Sequence, residues 1–101
     1  MSRVSWSELK DRKVSAMSAA ERAEYERALA ESRFAFEVGE RIRAARESAG
    51  ISQRELARRM ATSQASVGRL ESGSVAVTLS TLQRAALALG LRIEVKLQRS
   101  A

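Results

Sequence analysis

The sequence predicts an all-α protein of five helices that ends in a single β-strand. Apolar residues recur at helical spacing across most of the 101 residues, and no proline interrupts the pattern. Three segments open with Ser-x-x-Glu, in which two side chains satisfy free N–H groups at the start of a helix. Only the C-terminal segment alternates between apolar and polar residues, which is typical of a strand.

The first helix opens at Ser5 with the pattern SWSE, and we expect it to end near Lys13. Trp6 lies in its first turn. We prefer the interpretation that Trp6 closes the edge of the core. The alternative is that Trp6 anchors a partner protein, since tryptophan is enriched in interface hot spots.

The second helix opens at Ser18 with SAAE, continues to about Ala49 and ends at Gly50. Gly39 is its one weak point, because glycine lowers helix stability. We expect either a continuous helix or a bend between Phe36 and Gly39.

The third helix is capped by Ser52, with Glu55 three residues later. Its apolar side consists of Leu56, Ala57 and Met60. Because Ala57 is small, a neighbouring helix can approach closely there.

The fourth helix follows after a turn of only three residues, so the two helices must meet at a steep angle. Thr62 or Ser63 caps it, Val67 and Leu70 form its apolar side, and Gly73 ends it. Two short amphipathic helices joined in this way form a helix-turn-helix.

The fifth helix begins after Thr78 and stops at Gly90. Four of its residues are expected to return to the core: Leu79, Leu82, Ala86 and Leu89. Segment 91–98 then alternates, with one apolar face that consists of Leu91, Ile93, Val95 and Leu97.

A solitary strand leaves its backbone N–H and C=O groups unpaired, which favours pairing with another chain. We therefore expect a homodimer in which two copies of segment 91–98 pair antiparallel across a two-fold axis. An axis at Glu94 would place like charges opposite each other, which is destabilising. We predict an axis at Val95, with Ile93 as the second choice.

The formal charge of +6 is unevenly distributed. Residues 1–35 carry a net +1, whereas residues 36–101 carry +5, and ten of the eleven cations in the second part are arginine. Arginine suits phosphate and guanine recognition through its planar fork of donors. The charge alone does not distinguish a nucleic-acid partner from a merely solvated surface. Because the positive excess lies in the same part of the chain as the helix-turn-helix, nucleic acid is favoured.

The composition excludes several kinds of site. The chain has no cysteine and no histidine, so disulfides, thiol chemistry, zinc fingers and His-based catalytic triads are excluded. The acidic residues alternate with basic ones on helical faces, so we do not expect an enzyme, a metal, a cofactor or a small-molecule ligand. No apolar run indicates a membrane span or signal peptide, and we expect a cytoplasmic, nucleoid-associated protein.

From about Ile42 to Leu89 the chain resembles the Cro/repressor (Xre) class of helix-turn-helix proteins. The resemblance rests on GISQRELARRM, SQASVGRLESG and TLSTLQRAALALG. Two residues depart from the pattern of the class. Ala61 stands where glycine is usual in the turn, and Gly68 lies inside the fourth helix. Alanine there strains the turn, and a glycine inside a helix costs about 0.5–1 kcal/mol.

The fourth helix is predicted to read bases in the major groove of double-stranded DNA. Gln64, Ala65 and Arg69 point away from its apolar side, and the resemblance implies that these positions face bases. Glutamine pairs with adenine and arginine with guanine, each contact contributing about 1–3 kcal/mol of discrimination. Two reading helices in a dimer lie about 34 Å apart, so we expect a palindromic operator.

Gln53 begins the third helix, whose free N–H groups favour a phosphate, and the resemblance also implies a contact with the DNA backbone there.

For Arg54 and Arg59, simple solvent exposure is as good an interpretation as a phosphate contact. The resemblance further implies a structural ion pair between Arg46 and Glu71. Lesser candidates for phosphate contacts are Ser63, Ser66, Arg54, Arg58 and Ser74.

The chain is divided into an N-terminal helical extension (1–35), a DNA-binding domain (36–90) and a dimerisation strand (91–98). This organisation resembles the HigA-like antitoxins of type II toxin–antitoxin modules, which implies autorepression and neutralisation of a RelE-like ribonuclease toxin. The alternatives are a free-standing Xre-type repressor and a protein-interaction adaptor. Candidate toxin-binding residues are Trp6, Leu9, Tyr25 and Leu29.

Overall fold

The computed structural model describes residues 5–100 and contains five α-helices and, over those residues, no β-strand. The chain divides into two compact units between Glu31 and Ser32. The prediction of an all-α protein with five helices is confirmed. The helices are α1 (Trp6–Ala16), α2 (Ala19–Ser48), α3 (Gln53–Met60), α4 (Gln64–Ser72) and α5 (Leu79–Ala88).

The first unit contains α1 and the beginning of α2, and serine caps open both helices. At α1 the capping box is reciprocal: the Glu8 N–H donates to Ser5 Oγ at 3.1 Å, and the Ser5 N–H donates to Glu8 Oε2 at 3.3 Å. At α2 the Glu21 N–H donates to Ser18 Oγ at 3.2 Å. Both starts therefore lie where the sequence places them.

Two expectations for this unit are wrong. The first helix ends at Ala16, beyond Lys13, because no helix-breaking residue comes before the next cap at Ser18. Trp6 does not close a core, because its side chain is 80% exposed. An indole in the first turn of a short helix finds too little apolar surface within its own unit to be buried there.

In the second unit, α2 continues through Gly39 without a break. A Cβ atom on Gly39 would lie 2.6 Å from the Leu70 carbonyl oxygen and 2.8 Å from that of Glu71. At Gly73, where φ is +88°, a Cβ would lie 2.7 Å from Phe36 Cα. The two glycines thus allow the backbone of α2 to touch the end of α4 directly.

Serine also caps the helices of the helix-turn-helix. Ser52 Oγ accepts a hydrogen bond from the Glu55 N–H at 3.0 Å. Ser63, and not Thr62, caps α4, since Ser63 Oγ accepts from the Ser66 N–H at 3.1 Å. These bonds fix the start of each helix and therefore the length of the turn between them.

The turn between α3 and α4 depends on a left-handed residue at Ala61, with φ 55° and ψ 46°. It is the one non-glycine residue with positive φ in the described part of the chain. The Ala61 N–H donates to the Arg58 carbonyl at 3.1 Å and the Thr62 N–H to the Ala57 carbonyl at 2.9 Å. These two bonds are those of a Schellman motif, which usually carries glycine at this position.

Ala61→Gly is therefore expected to raise the free energy of unfolding by roughly 0.5–1 kcal/mol, because glycine adopts the left-handed region without steric cost. Urea unfolding followed by circular dichroism measures the change. Ala44→Gly, at an exposed position inside α2, is the matched control and should lower stability instead. A destabilising effect of Ala61→Gly would contradict the assigned turn conformation.

The core of the second unit is aliphatic and links α2, α3, α4 and α5. Leu79 does not belong to it: this side chain is 82% exposed, whereas Ala85, one turn and a half further on, is fully buried. The side of α5 that faces the core contains Leu82, Ala85 and Ala86, and Leu89 continues it just after the helix, whereas the first residue of the helix lies outside that stripe. The buried apolar residues are Ile42, Leu56, Ala57, Met60, Val67, Leu70, Ala85 and Ala86.

The predicted strand at 91–98 is not present, since residues 91–100 have no regular secondary structure. A strand is stabilised by hydrogen bonds to a neighbouring strand, and the described residues of this chain provide none. The apolar side chains of the segment remain exposed, at 49% for Leu91, 39% for Ile93, 79% for Val95 and 96% for Leu97.

Candidate nucleic-acid interface

Helix α4 has one buried side and one exposed side. Val67 and Leu70 are 0% and 2% exposed and pack into the core. Gln64, Ala65 and Arg69 are exposed on the rest of the helix. Two long hydrogen-bonding side chains and one methyl group are thus available on a short helix that the core holds in place.

The candidate face is also sterically open. Apart from the two neighbouring residues and the backbone of α4 itself, no atom of the described residues lies within 4 Å of a Cβ atom built on Gly68. Because glycine adds no side chain between Gln64 and Arg69, a ligand can approach the backbone of α4 closely. This openness is what a helix needs in order to enter a groove of DNA.

Three polar side chains form a hydrogen-bonded row along α4. Ser63 Oγ and Ser66 Oγ are 2.9 Å apart, and Arg69 Nη2 donates to Ser66 Oγ at 3.1 Å. The sequence predicts phosphate contacts for the two serines and a base contact for the arginine. The structure brings all three into one chain of contacts.

Glu71 is the centre of a buried polar network. Its side chain is 3% exposed, and it accepts hydrogen bonds from Arg46 Nε at 2.6 Å and Arg46 Nη2 at 3.0 Å. Gln53 Nε2 donates to the same carboxylate at 3.2 Å. Arg46 Nη1 also donates to the Ile51 carbonyl at 2.8 Å. The network therefore joins the end of α2, the start of α3 and the end of α4.

Both charges of this network are retained. Burial alone would raise the pKa of Glu71, but the hydrogen bonds from Arg46 and Gln53 and the charge of Arg46 outweigh it, so the pKa is lowered. The hydrogen bond to Glu71 raises the pKa of Arg46 above its ordinary value. At neutral pH the pair is therefore fully ionised, and Gln53 is held beside it.

The arginines of α3 differ in their partners. Arg58 Nη2 and Arg59 Nε lie 2.6 and 3.0 Å from Glu55 Oε1, and these hydrogen bonds lower the pKa of Glu55 to about 2. Arg58, predicted as a phosphate contact, is thus held in an exposed ion pair. Arg54 is exposed and has no ion-pair partner within residues 5–100. Because Glu55 binds these arginines, its carboxylate does not complete the capping box with Ser52.

Ser74 lies in the loop after α4. Its hydroxyl accepts a hydrogen bond from the Ala76 N–H at 3.3 Å, and its own N–H donates to the Arg69 carbonyl at 3.1 Å. Ser74 is half-buried. Ser74 therefore helps to close the end of α4, and its phosphate contact stays a prediction.

Arg84 is a structural residue that the sequence interpretation missed. Its Nη2 donates to the Met60 carbonyl at 2.7 Å, at the C-terminal end of α3. A cation there satisfies a free carbonyl and interacts favourably with the helix dipole. No local signal predicts this contact, because the two residues are 24 positions apart.

The candidate toxin-binding residues lie in the first unit. Trp6 and Leu9 are 80% and 44% exposed, and their spacing of three residues places them on one side of α1. Tyr25 and Leu29 are half-buried residues of α2, four positions apart. Each helix therefore offers one pair of large side chains at helical spacing.

Comparison with known proteins identifies the family of the second unit. A family model described as Helix-turn-helix (HTH_3) matches residues 42–96. Among curated proteins and solved structures, none matches at a significant level. No helix within residues 5–100 has the length and apolar character to cross a membrane. Since the family match covers more than half of the 101 residues, the chain belongs to the Xre/Cro-type helix-turn-helix family, whose domain indicates a DNA-binding transcription regulator.

Proposed function

We propose that the chain is a sequence-specific transcriptional repressor that reads operator DNA with the exposed side of α4. The observation that carries this proposal is the open face of Gln64, Ala65 and Arg69 on a helix anchored by Val67 and Leu70. In helix-turn-helix proteins the second helix lies in the major groove, and its N-terminal residues contact base edges. The proposed role is one of binding, without catalysis.

The proposed backbone contacts lie at the start of α3. Gln53 is half-buried, and one N–H of its amide is bound by Glu71. An amide group has two N–H donors and an acceptor oxygen, so one donor and the oxygen remain for a phosphate or for water. Arg54, exposed in the same turn, adds a positive charge. The buried network would thereby fix the register of the helix-turn-helix on the duplex.

The functional form in this proposal is a homodimer joined through segment 91–98. The exposed apolar side chains of that segment support it, as does a groove of about 830 Å³ between the segment, α2 and α5. Phe34, Leu79 and Leu87, which line this groove, are between 66% and 82% exposed. Antiparallel pairing centred on Val95 would satisfy the free backbone groups and place two α4 helices on a palindromic operator.

Arg69→Ala and Gln53→Ala should separate base reading from backbone contact. Arg69→Ala is expected to relax the preference at one base pair of each half-site, by about 1–3 kcal/mol. Gln53→Ala should weaken binding to all sequences alike. Competition binding with a panel of point-substituted operators measures both. An equal loss across all sequences for both variants would contradict these roles.

We further propose that this chain is a HigA-like antitoxin. The operon that it regulates would also encode a RelE-like ribonuclease toxin, which the chain neutralises. The support is the exposed pair Trp6 and Leu9 on α1, since large apolar residues left in solvent are typical of a binding surface for another protein.

Co-expression with the neighbouring reading frame tests the antitoxin proposal. A small basic protein encoded there should co-purify with the wild-type chain and be lost with Trp6→Ala combined with Leu9→Ala. Val75→Ala, which removes an exposed apolar side chain from the second unit, is the control. Operator binding without such a partner would indicate a free-standing repressor. A folded chain without DNA affinity would indicate an interaction adaptor.

A further inference from the structure

The row of Ser63, Ser66 and Arg69 has a regular spacing of three residues along α4. Residues three apart lie on one side of a helix, and long helical side chains point towards its N-terminus. The hydrogen bond from Arg69 Nη2 to Ser66 Oγ follows this direction. It draws the guanidinium from the second half of α4 towards the first half.

We propose that Ser66 is a positioning residue that sets the base preference of Arg69. This inference rests on the proposed DNA-reading role of α4. The first half of a recognition helix is the part that contacts base edges. Arg69 starts beyond that half, so the bond to Ser66 brings its guanidinium to the place where a base can be read.

The chemistry of the row fixes the direction of the bond. An arginine side chain donates and cannot accept, so Ser66 Oγ is the acceptor whichever hydroxyl donates between Ser63 and Ser66. One of the five guanidinium N–H groups is used. The fork that remains is sufficient for two hydrogen bonds to a guanine.

Holding the guanidinium in advance also affects affinity. A free arginine loses rotamer entropy when it binds, whereas an arginine already held by Ser66 loses less. This smaller entropy loss helps binding only when the base has acceptors where Ser66 holds the guanidinium. The bond to Ser66 therefore increases discrimination between bases as well as affinity. Ser66 thus acts through Arg69, in contrast to the phosphate contact that the sequence alone predicts for it.

The test measures base preference with the full chain and an operator panel that varies the base pair at which Arg69→Ala relaxes discrimination. Ser66→Ala should reduce discrimination there roughly two- to tenfold, the range of one hydrogen bond. In an Arg69→Ala background the same substitution should have no further effect on discrimination. Ser66→Thr, which keeps the hydroxyl, should retain the discrimination of the wild-type chain. Ser72→Ala is the control, since Ser72 Oγ donates a hydrogen bond to the Arg69 carbonyl and, among the described residues, none to its guanidinium.

The outcomes are distinguishable. Unchanged discrimination with Ser66→Ala, beside a clear effect of Arg69→Ala, would overturn this inference and leave the proposed function intact. An equal loss of affinity for all bases would also overturn it, and would assign Ser66 to a phosphate. If the wild-type chain, shown to be folded, binds no operator DNA, then the proposed function fails and the inference fails with it.

Discussion

Glu71→Ala is expected to lower the free energy of unfolding by about 3–5 kcal/mol, a large share of the 5–15 kcal/mol typical of a domain. The loss arises because the Arg46 side chain, which is only 12% exposed, would remain largely buried without its carboxylate. Gln53 would lose its partner in the same step. Urea unfolding, followed by circular dichroism, measures the change.

Two further variants identify the cause. Glu55→Gln removes a carboxylate that also binds two arginines but lies at the surface, and its effect should be much smaller. Arg46→Met combined with Glu71→Leu replaces the buried pair by apolar groups and should cost less than Glu71→Ala alone. If Glu71→Ala and Glu55→Gln have similar effects, the buried network does not have the structural role assigned to it.

The same carboxylate makes stability depend on pH. The folded-state pKa of Glu71 lies below its ordinary value of 4.5, so its contribution is fully present above that value. The contribution is lost as pH falls from 4.5 through the lowered pKa. The wild-type chain should therefore lose more stability between pH 5 and acid conditions than Glu71→Gln does.

Gly39→Ala is expected to lower the free energy of unfolding by about 1–3 kcal/mol. Helix propensity alone predicts the opposite sign, because alanine stabilises the interior of a helix relative to glycine. The difference arises from the contact with α4. The added methyl group would lie 2.6 Å from the Leu70 carbonyl oxygen, and a backbone atom cannot rotate away as a side chain can.

Gly68→Ala is the matched control, since it places the same methyl group in open space within another helix. It should raise stability by about 0.5–1 kcal/mol. Chemical denaturation of both variants, at one pH and salt concentration, compares them directly. If both substitutions stabilise the chain, the close contact between α2 and α4 described above is contradicted.

The helix starts could be predicted from the sequence because they depend on residues only a few positions apart. Ser52 and Ser63 accept hydrogen bonds from N–H groups three residues later, and so does Thr78. The same holds for the exposed face of α4. Once Val67 and Leu70 are assigned to the core, helical geometry determines which side of α4 remains available.

The features that depend on tertiary contacts could not be predicted in this way. Gly39 is a weak point of α2 when only the helix is considered, but it is required when α4 packs against it. The bond from Arg84 to the Met60 carbonyl joins two helices and has no local signal. A strand at 91–98 requires a partner strand, and one chain alone does not supply it.

In the proposed function, two copies of α4 read one duplex together. Hydroxyl-radical footprinting of the full chain on the DNA upstream of its own reading frame, repeated over a series of salt concentrations, tests this most directly. We predict saturable binding that weakens as salt rises and protects two segments about 34 Å apart. Absence of binding at low ionic strength by a folded chain, or protection of a single isolated segment, would contradict the claim.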